Sequence, residues 1–199
     1  VTTLKDQGNY QVVKGNRMSG SILTELIGGL TGDSLSGLSQ QLGVDEGATS
    51  QAVSLAVPLL LSVLANNTSN KKGAQSLVNA LSRDHDGSIL EDVAGHVQSG
   101  SLDDGLGILG HVLGTNQSKV EESLSERTGL DAASIAKLLA ILAPVVLGML
   151  GKQQRQKNLD PTGLSALLGT ESKQASQSTP DLLGLLGGLL SAGGSDLFD

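Results

Sequence analysis

AASIAKLLAILAPVVLGML, residues 132–150, is apolar on nearly every side of the helix that it would form. A helix of that kind lies in a membrane or at the centre of a helical protein. The residues in front of it define where it starts. Gly129 follows the polar amphipathic stretch KVEESLSERT, where a residue with positive φ ends a helix, and Asp131 stands where a side chain can cap the next one. Pro144 falls deep inside the apolar stretch, and its missing N–H and its ring predict a kink.

The same signals occur 86 positions earlier. Gly43 follows SLSGLSQQL, Asp45 comes two residues later, and a second apolar helix is predicted over 46–65, with Pro58 inside LAVPLLLSVLA. Sliding the chain by that offset aligns 22–81 with 108–167 without a gap, and about thirteen of the sixty positions are identical. The expected fold is therefore all-α: two tandem copies of a helical unit, with kinked, buried central helices packed on each other near a pseudo-twofold axis. Leu60, Leu61, Leu64, Val146, Leu147 and Leu150 are the expected contacts between them.

Composition narrows what such a core can be. Apolar residues make up 38% of the chain and aromatics 1%, so the interior is built from Leu, Val, Ile and Ala, and the 27 glycines permit close helix approach. A formal charge of −7 and the near absence of stacking side chains argue against nucleic-acid binding. The lack of cysteine removes disulfides, thiolate metal sites and cysteine nucleophiles, and it favours a cytoplasmic location.

Flanking segments divide the chain further. Residues 1–17 show neither a helical period nor an apolar signal region, and they read as a disordered tail or a non-native extension ahead of Met18. Ser88 with Glu91 predicts a capping box opening a helix at 89–98, and Ser118 with Glu121 predicts another before a helix at 119–127. Basic patches, Lys71-Lys72 and Lys152, Arg155, Lys157, follow the apolar helices, each succeeded by a short helix around LVNALS or LSALLG. TESKQASQSTP, from 170 to 180, lacks sizeable apolar residues and reads as a linker. Beyond it, 181–192 reads as an amphipathic Leu/Gly helix with Leu182, Leu185, Leu186 and Leu189 on one face, and 193–199 as a flexible tail.

No catalytic, cofactor or metal constellation stands out. Asp84 and Asp86 before Gly87 lack the remaining ligands of a calcium loop and read as helix-entry turn chemistry. His85, His96 and His111 form no paired metal motif, although His96 and His111 could share neighbouring helices near Asp92 or Asp104. Glu126 to Lys137 has the outline of a helix-turn-helix, but its would-be recognition helix is the most apolar of its copy. The candidate structural and interaction residues are Gly43, Asp45, Pro58, Gly129, Asp131, Pro144 and the four tail leucines.

HDGSIL at 85–90, DGLGILGHVLG at 104–114 and TGLDAASIAKLLAILAPVVLGML at 128–150 resemble the bacterial YidB-like family, a domain of unknown function. That resemblance assigns 18–169 to one YidB-like domain. It implies a compact helical bundle, described as homeodomain-like, with no activity, cofactor or catalytic residue to carry over. The expected role is a non-enzymatic interaction or self-assembly module, with a protein partner or a homo-oligomer. One alternative is a membrane-active protein inserting its apolar helices. Their runs, 52–65 and 138–151, span only about 21 Å against roughly 30 Å of hydrocarbon. A DNA-binding regulator is the further alternative.

Overall fold

The computed structural model describes residues 21–178, which are helical and contain no strand. The helices are α1 (Ile22–Gly29), α2 (Asp33–Leu42), α3 (Glu46–Asn67), α4 (Lys71–Arg83), α5 (Val93–Ser99), α6 (Asp103–Leu113), α7 (Gln117–Thr128), α8 (Ala132–Gln156) and α9 (Pro161–Ser178). The expectations for residues 1–17 and for 181–199 lie outside the described residues.

The turn chemistry operates as the residue types require. Gly43 and Gly129 end α2 and α7 with φ of 71° and 73°, a conformation in which a Cβ would be strained. Asp45 and Asp131 then cap α3 and α8, accepting 3.0 Å bonds from the N–H groups of Ala48 and Ser134. The Ser134 hydroxyl also donates to Asp131, and with the Ser134 N–H it holds the Asp131 carboxyl below its ordinary pKa of 3.8. A carboxyl depressed on folding stabilises the fold above its unfolded pKa, and that contribution is lost as pH falls through the lower folded value. Asp131→Asn, which can cap without titrating, is expected to flatten part of the acid limb of the unfolding midpoint between roughly pH 2 and pH 5. An unchanged limb in circular dichroism melts would disconnect this cap from acid unfolding.

Core helices α3 and α8 carry unbroken buried runs, 55–64 and 138–151, including all six expected contact residues. Both prolines sit inside helices that continue past them. At Pro144 the lost N–H leaves the carbonyl of Ala140 without its intrahelical donor, and there α6 approaches through Gly105. The helices that follow the core pair cross over: α4 packs on α8, and α9 packs on α3. On the outside, α1 lies against α3, α6 against α8, and α2 and α7 against both.

Three local expectations are corrected. Residues 170–178 are not a linker: α9 runs through them, with Glu171 and Ala175 buried. Small side chains let this stretch lie close to α3, where Ser172 Oγ donates to Ser62 Oγ at 3.1 Å. Glu171 accepts from Ser21 Oγ at 2.6 Å and from the Leu23 N–H at 3.3 Å, closing the N-terminus of α1. Its burial is satisfied by partners, which a search for apolar residues does not detect. Glu171→Ala would orphan those donors and is expected to cost about 1–3 kcal/mol in chemical denaturation. A change near zero would mean that the 170–178 stretch does not hold α1.

The second correction concerns Ser88 and Glu91, which form a 3-10 turn rather than a capping box. The helix begins at Val93 instead, because Asp92 Oδ1 accepts from the Gly95 N–H at 2.7 Å and is the better placed cap. Third, Ser118 caps nothing. A 3-10 turn, Gly114–Asn116, delivers the chain directly into α7, and Glu121 accepts from Gln117 Nε2 at 2.8 Å. The basic residues sit in helices or at a helix end. Lys71 and Lys72 open α4, while Lys152 and Arg155 lie in α8 and reach Glu25 and Asp86, each at 3.4 Å.

Candidate functional site

An open groove of about 640 Å³ lies between α4 and α6. Its walls follow from helical spacing. Gly73, Ser76, Leu77, Ala80 and Asp84 recur along one face of α4, and Asp104, Gly107, Ile108, His111 and Val112 along one face of α6. The floor is apolar, from Leu64 of α3 and Leu147 of α8. Leu77, Ile108 and Val112 pack against the core with one side and leave the other toward the groove. Leu106 of α6, which does not line the groove, is 44% exposed.

Glycine shapes the two walls in opposite ways. At Gly73 an added Cβ would collide with the carbonyl of Asn67, so glycine is needed where α4 leaves α3. At Gly107 an added Cβ would meet nothing within 4 Å, so there the glycine only thins the wall and widens the groove.

Polar groups gather at one end. Asp84 and His85 leave the end of α4, and Asp103 and Asp104 occupy the first turn of α6, where carboxylates complement the helix dipole. The mouth is therefore acidic over an apolar interior. His111 Nδ1 lies 2.9 Å from the Gly107 carbonyl oxygen of its own helix. His96 Nε2 lies 3.3 Å from the Ile141 carbonyl oxygen in α8, so the two histidines are not brought together. Asp86 accepts from the Ser88 N–H at 3.0 Å and faces Arg155; these contacts, the Ser88 backbone bond first, lower its pKa, and Gly87 beside it turns with φ 94°. That is turn chemistry. Among the described residues no group of three or more His, Asp or Glu side chains is arranged to hold a metal ion.

The candidate residues read from the sequence do not assemble here. Gly43, Gly129, Asp45 and Asp131 shape the two turns, and Pro58 and Pro144 are buried in the core helices. None of them lines the groove. Leu182, Leu185, Leu186 and Leu189 lie outside the described residues. Sequence reading missed the groove because α4 and α6 are set side by side by their packing on α8 rather than by any local pattern. One legible signal was DGLGILGHVLG, whose apolar residues exceed what a single buried stripe of α6 requires.

No curated protein and no solved structure matches the chain. A family model described as bacterial protein of unknown function (DUF937) matches residues 24–153, a span that holds α3, most of α8 and both walls of the groove. With well over half its length matched, the chain belongs to this bacterial family of unknown function, the YidB-like family that its motifs resemble.

Proposed function

We propose that the protein is a non-enzymatic helical interaction module, cytoplasmic, that takes an apolar helix into the groove between α4 and α6. The observation that carries this reading is the apolar floor and the partly buried apolar walls of that groove, which is left open. An apolar groove between two helices is a shape that can receive the apolar face of a third. The scaffold, in this reading, is a duplicated unit with a pseudo-twofold axis and kinks at Pro58 and Pro144. The reciprocal packing of α4 on α8 and α9 on α3, and the matching caps at Asp45 and Asp131, support it.

The test is methyl NMR of the full-length chain over a concentration series, reading Leu77, Ile108 and Val112. Shift changes confined to the groove methyls support the module, and they should vanish in Gly107→Arg. That variant fills the groove from a position with open space, and it replaces a helical glycine whose cost is about 1 kcal/mol.

The membrane reading rests on two helices long and apolar enough to cross a bilayer, Glu46–Asn67 and Ala132–Gln156. Their apolar windows are 72% and 83% buried inside the protein, which favours the core role. Groove methyls that never shift, together with flotation of the protein with liposomes, would replace the interaction reading by this one. DNA recognition fares worse. The would-be recognition helix is α8, and its buried run leaves little face for a groove of DNA.

A further inference from the structure

We propose that the partner seated in the α4–α6 groove is an amphipathic helix of about three turns that carries a lysine or arginine at the end lying over Asp84, Asp103 and Asp104. The inference rests on the groove receiving a helix, and it names the chemistry of that helix.

The groove has a direction. Asn67 Nδ2, at the end of α3, donates to the Val112 carbonyl at 2.8 Å, so the start of α4 lies beside the end of α6. The two walls therefore run antiparallel, and the end of α4 meets the first turn of α6. All three lining carboxylates fall at that end: Asp84 follows α4, and Asp103 and Asp104 open α6. No lysine or arginine lines the groove. Among the described residues none of the three carboxylates is engaged by a hydrogen bond or an ion pair. At the other end Asn67 is engaged with Val112, and Thr68 Oγ1 donates to the Leu64 carbonyl at 3.0 Å.

The carboxylates stand on both walls. Like charges on facing walls repel, and a cation seated between them is attracted by both. The formal charge of −7 on the whole chain adds a long-range attraction of the same sign. A junction elsewhere in the fold shows what closure takes. Shifting the chain by 86 positions sets His85 on Glu171, Gly107 on Ser21 and Leu109 on Leu23. Glu171 draws α1 onto α9 through the Ser21 hydroxyl and the Leu23 N–H. Gly107 has no hydroxyl to donate, so that clamp is missing between α4 and α6, and the charges there are all of one sign.

Between the two ends the lining is apolar, from Leu77 and Ala80 on α4, Ile108 and Val112 on α6, and Leu64 and Leu147 beneath. Both walls are helices whose backbone groups are bonded internally, so they offer no ladder to an extended peptide. A helical partner arrives with its own backbone bonds made. The wall from Gly73 to Asp84 is about 16 Å long, enough for apolar side chains at i, i+4 and i+7 of the partner.

The probes that test this are two synthetic peptides of about 14 residues, blocked at both ends, with the same leucine face at i, i+4 and i+7. One ends in a pair of lysines and the other in a pair of glutamates. Each is titrated into methyl-labelled full-length chain at low ionic strength, at a protein concentration where the chain alone gives constant shifts. The methyls of Leu77, Ile108 and Val112 are read. The proteins are the wild type, Gly107→Arg as the blocked groove, and a charge variant with Asp84→Lys, Asp103→Asn and Asp104→Asn. Circular dichroism melts establish that each is folded. Should the triple change unfold the chain, Asp84→Lys alone replaces it, because a cation is favourable at a helix C-terminus.

The lysine peptide is expected to move the groove methyls and to bind the wild type on the order of tenfold more tightly than the glutamate peptide, a preference that shrinks as salt is added. In the charge variant the preference disappears, and Gly107→Arg binds neither peptide. Comparing the ratio of affinities between proteins cancels any difference in the helicity of the peptides themselves. A glutamate peptide that binds the wild type as tightly as the lysine peptide, or a preference that survives in the charge variant, overturns the inference. The helix-groove reading then stands, provided that Gly107→Arg abolishes the shifts. If neither peptide moves the groove methyls, or both still move them in Gly107→Arg, the groove reading falls and the inference with it.

Discussion

Replacing Leu61 by alanine is expected to lower the unfolding free energy by about 2–5 kcal/mol, the range for large-to-small changes in a packed core. Leu61 is 0% exposed, near the middle of α3, and the surrounding core is built from aliphatic side chains without large aromatics that could shift into the space. Leu147→Ala in α8 belongs near the lower end of that range. Leu147 forms part of the groove floor, where its neighbours can relax toward open space. Urea titration of both variants reads the difference. A loss under about 1 kcal/mol for Leu61→Ala would contradict its place in the core.

The second large effect is expected at Gly105. A Cβ built there falls within the van der Waals radius of the Ala140 carbonyl oxygen and crowds the Ala140 Cα, which are backbone atoms of a buried helix. Neither can rotate away. Gly105→Ala must push α6 off α8, and the expected loss is about 3 kcal/mol, the upper part of the usual range for overpacking. Gly107→Ala, two residues along the same helix, supplies the contrast: its Cβ meets open space, so only the gain from removing a helical glycine remains, about 1 kcal/mol of added stability. If both substitutions moved the melting temperature in the same direction, the close approach of α6 to the Pro144 region would be refuted.

Of the fold, the elements legible in the sequence were those whose cause is local. A glycine that must adopt positive φ, a carboxylate two residues later and a long apolar run together marked where α3 and α8 begin, and the caps form at Asp45 and Asp131. The continuation of α9 through 170–178 was illegible for the opposite reason. Its buried residues are Glu171 and Ala175, and they are buried because Ser21, the Leu23 N–H and the flank of α3 are there to receive them. No property of TESKQASQS taken alone distinguishes that helix from a linker.

The capping boxes show the same division within a few residues. Ser88 and Glu91 carry the right types at the right spacing, yet Gly87 packs against Gly148 and Lys152 of α8, and the helix starts only at Val93, after its cap Asp92. Membership of the bacterial family was readable from the order of short motifs, since that order is a property of the chain itself. The groove was not, because each of its walls is an ordinary amphipathic face until α8 holds α4 and α6 side by side. The sequence by itself determined the helical class, the two core helices and their starting turns, through backbone conformation and hydrophobic pattern acting over a few residues. Tertiary structure alone decided which polar groups are buried with partners and which apolar faces remain uncovered, because burial is a relation between segments far apart in the chain.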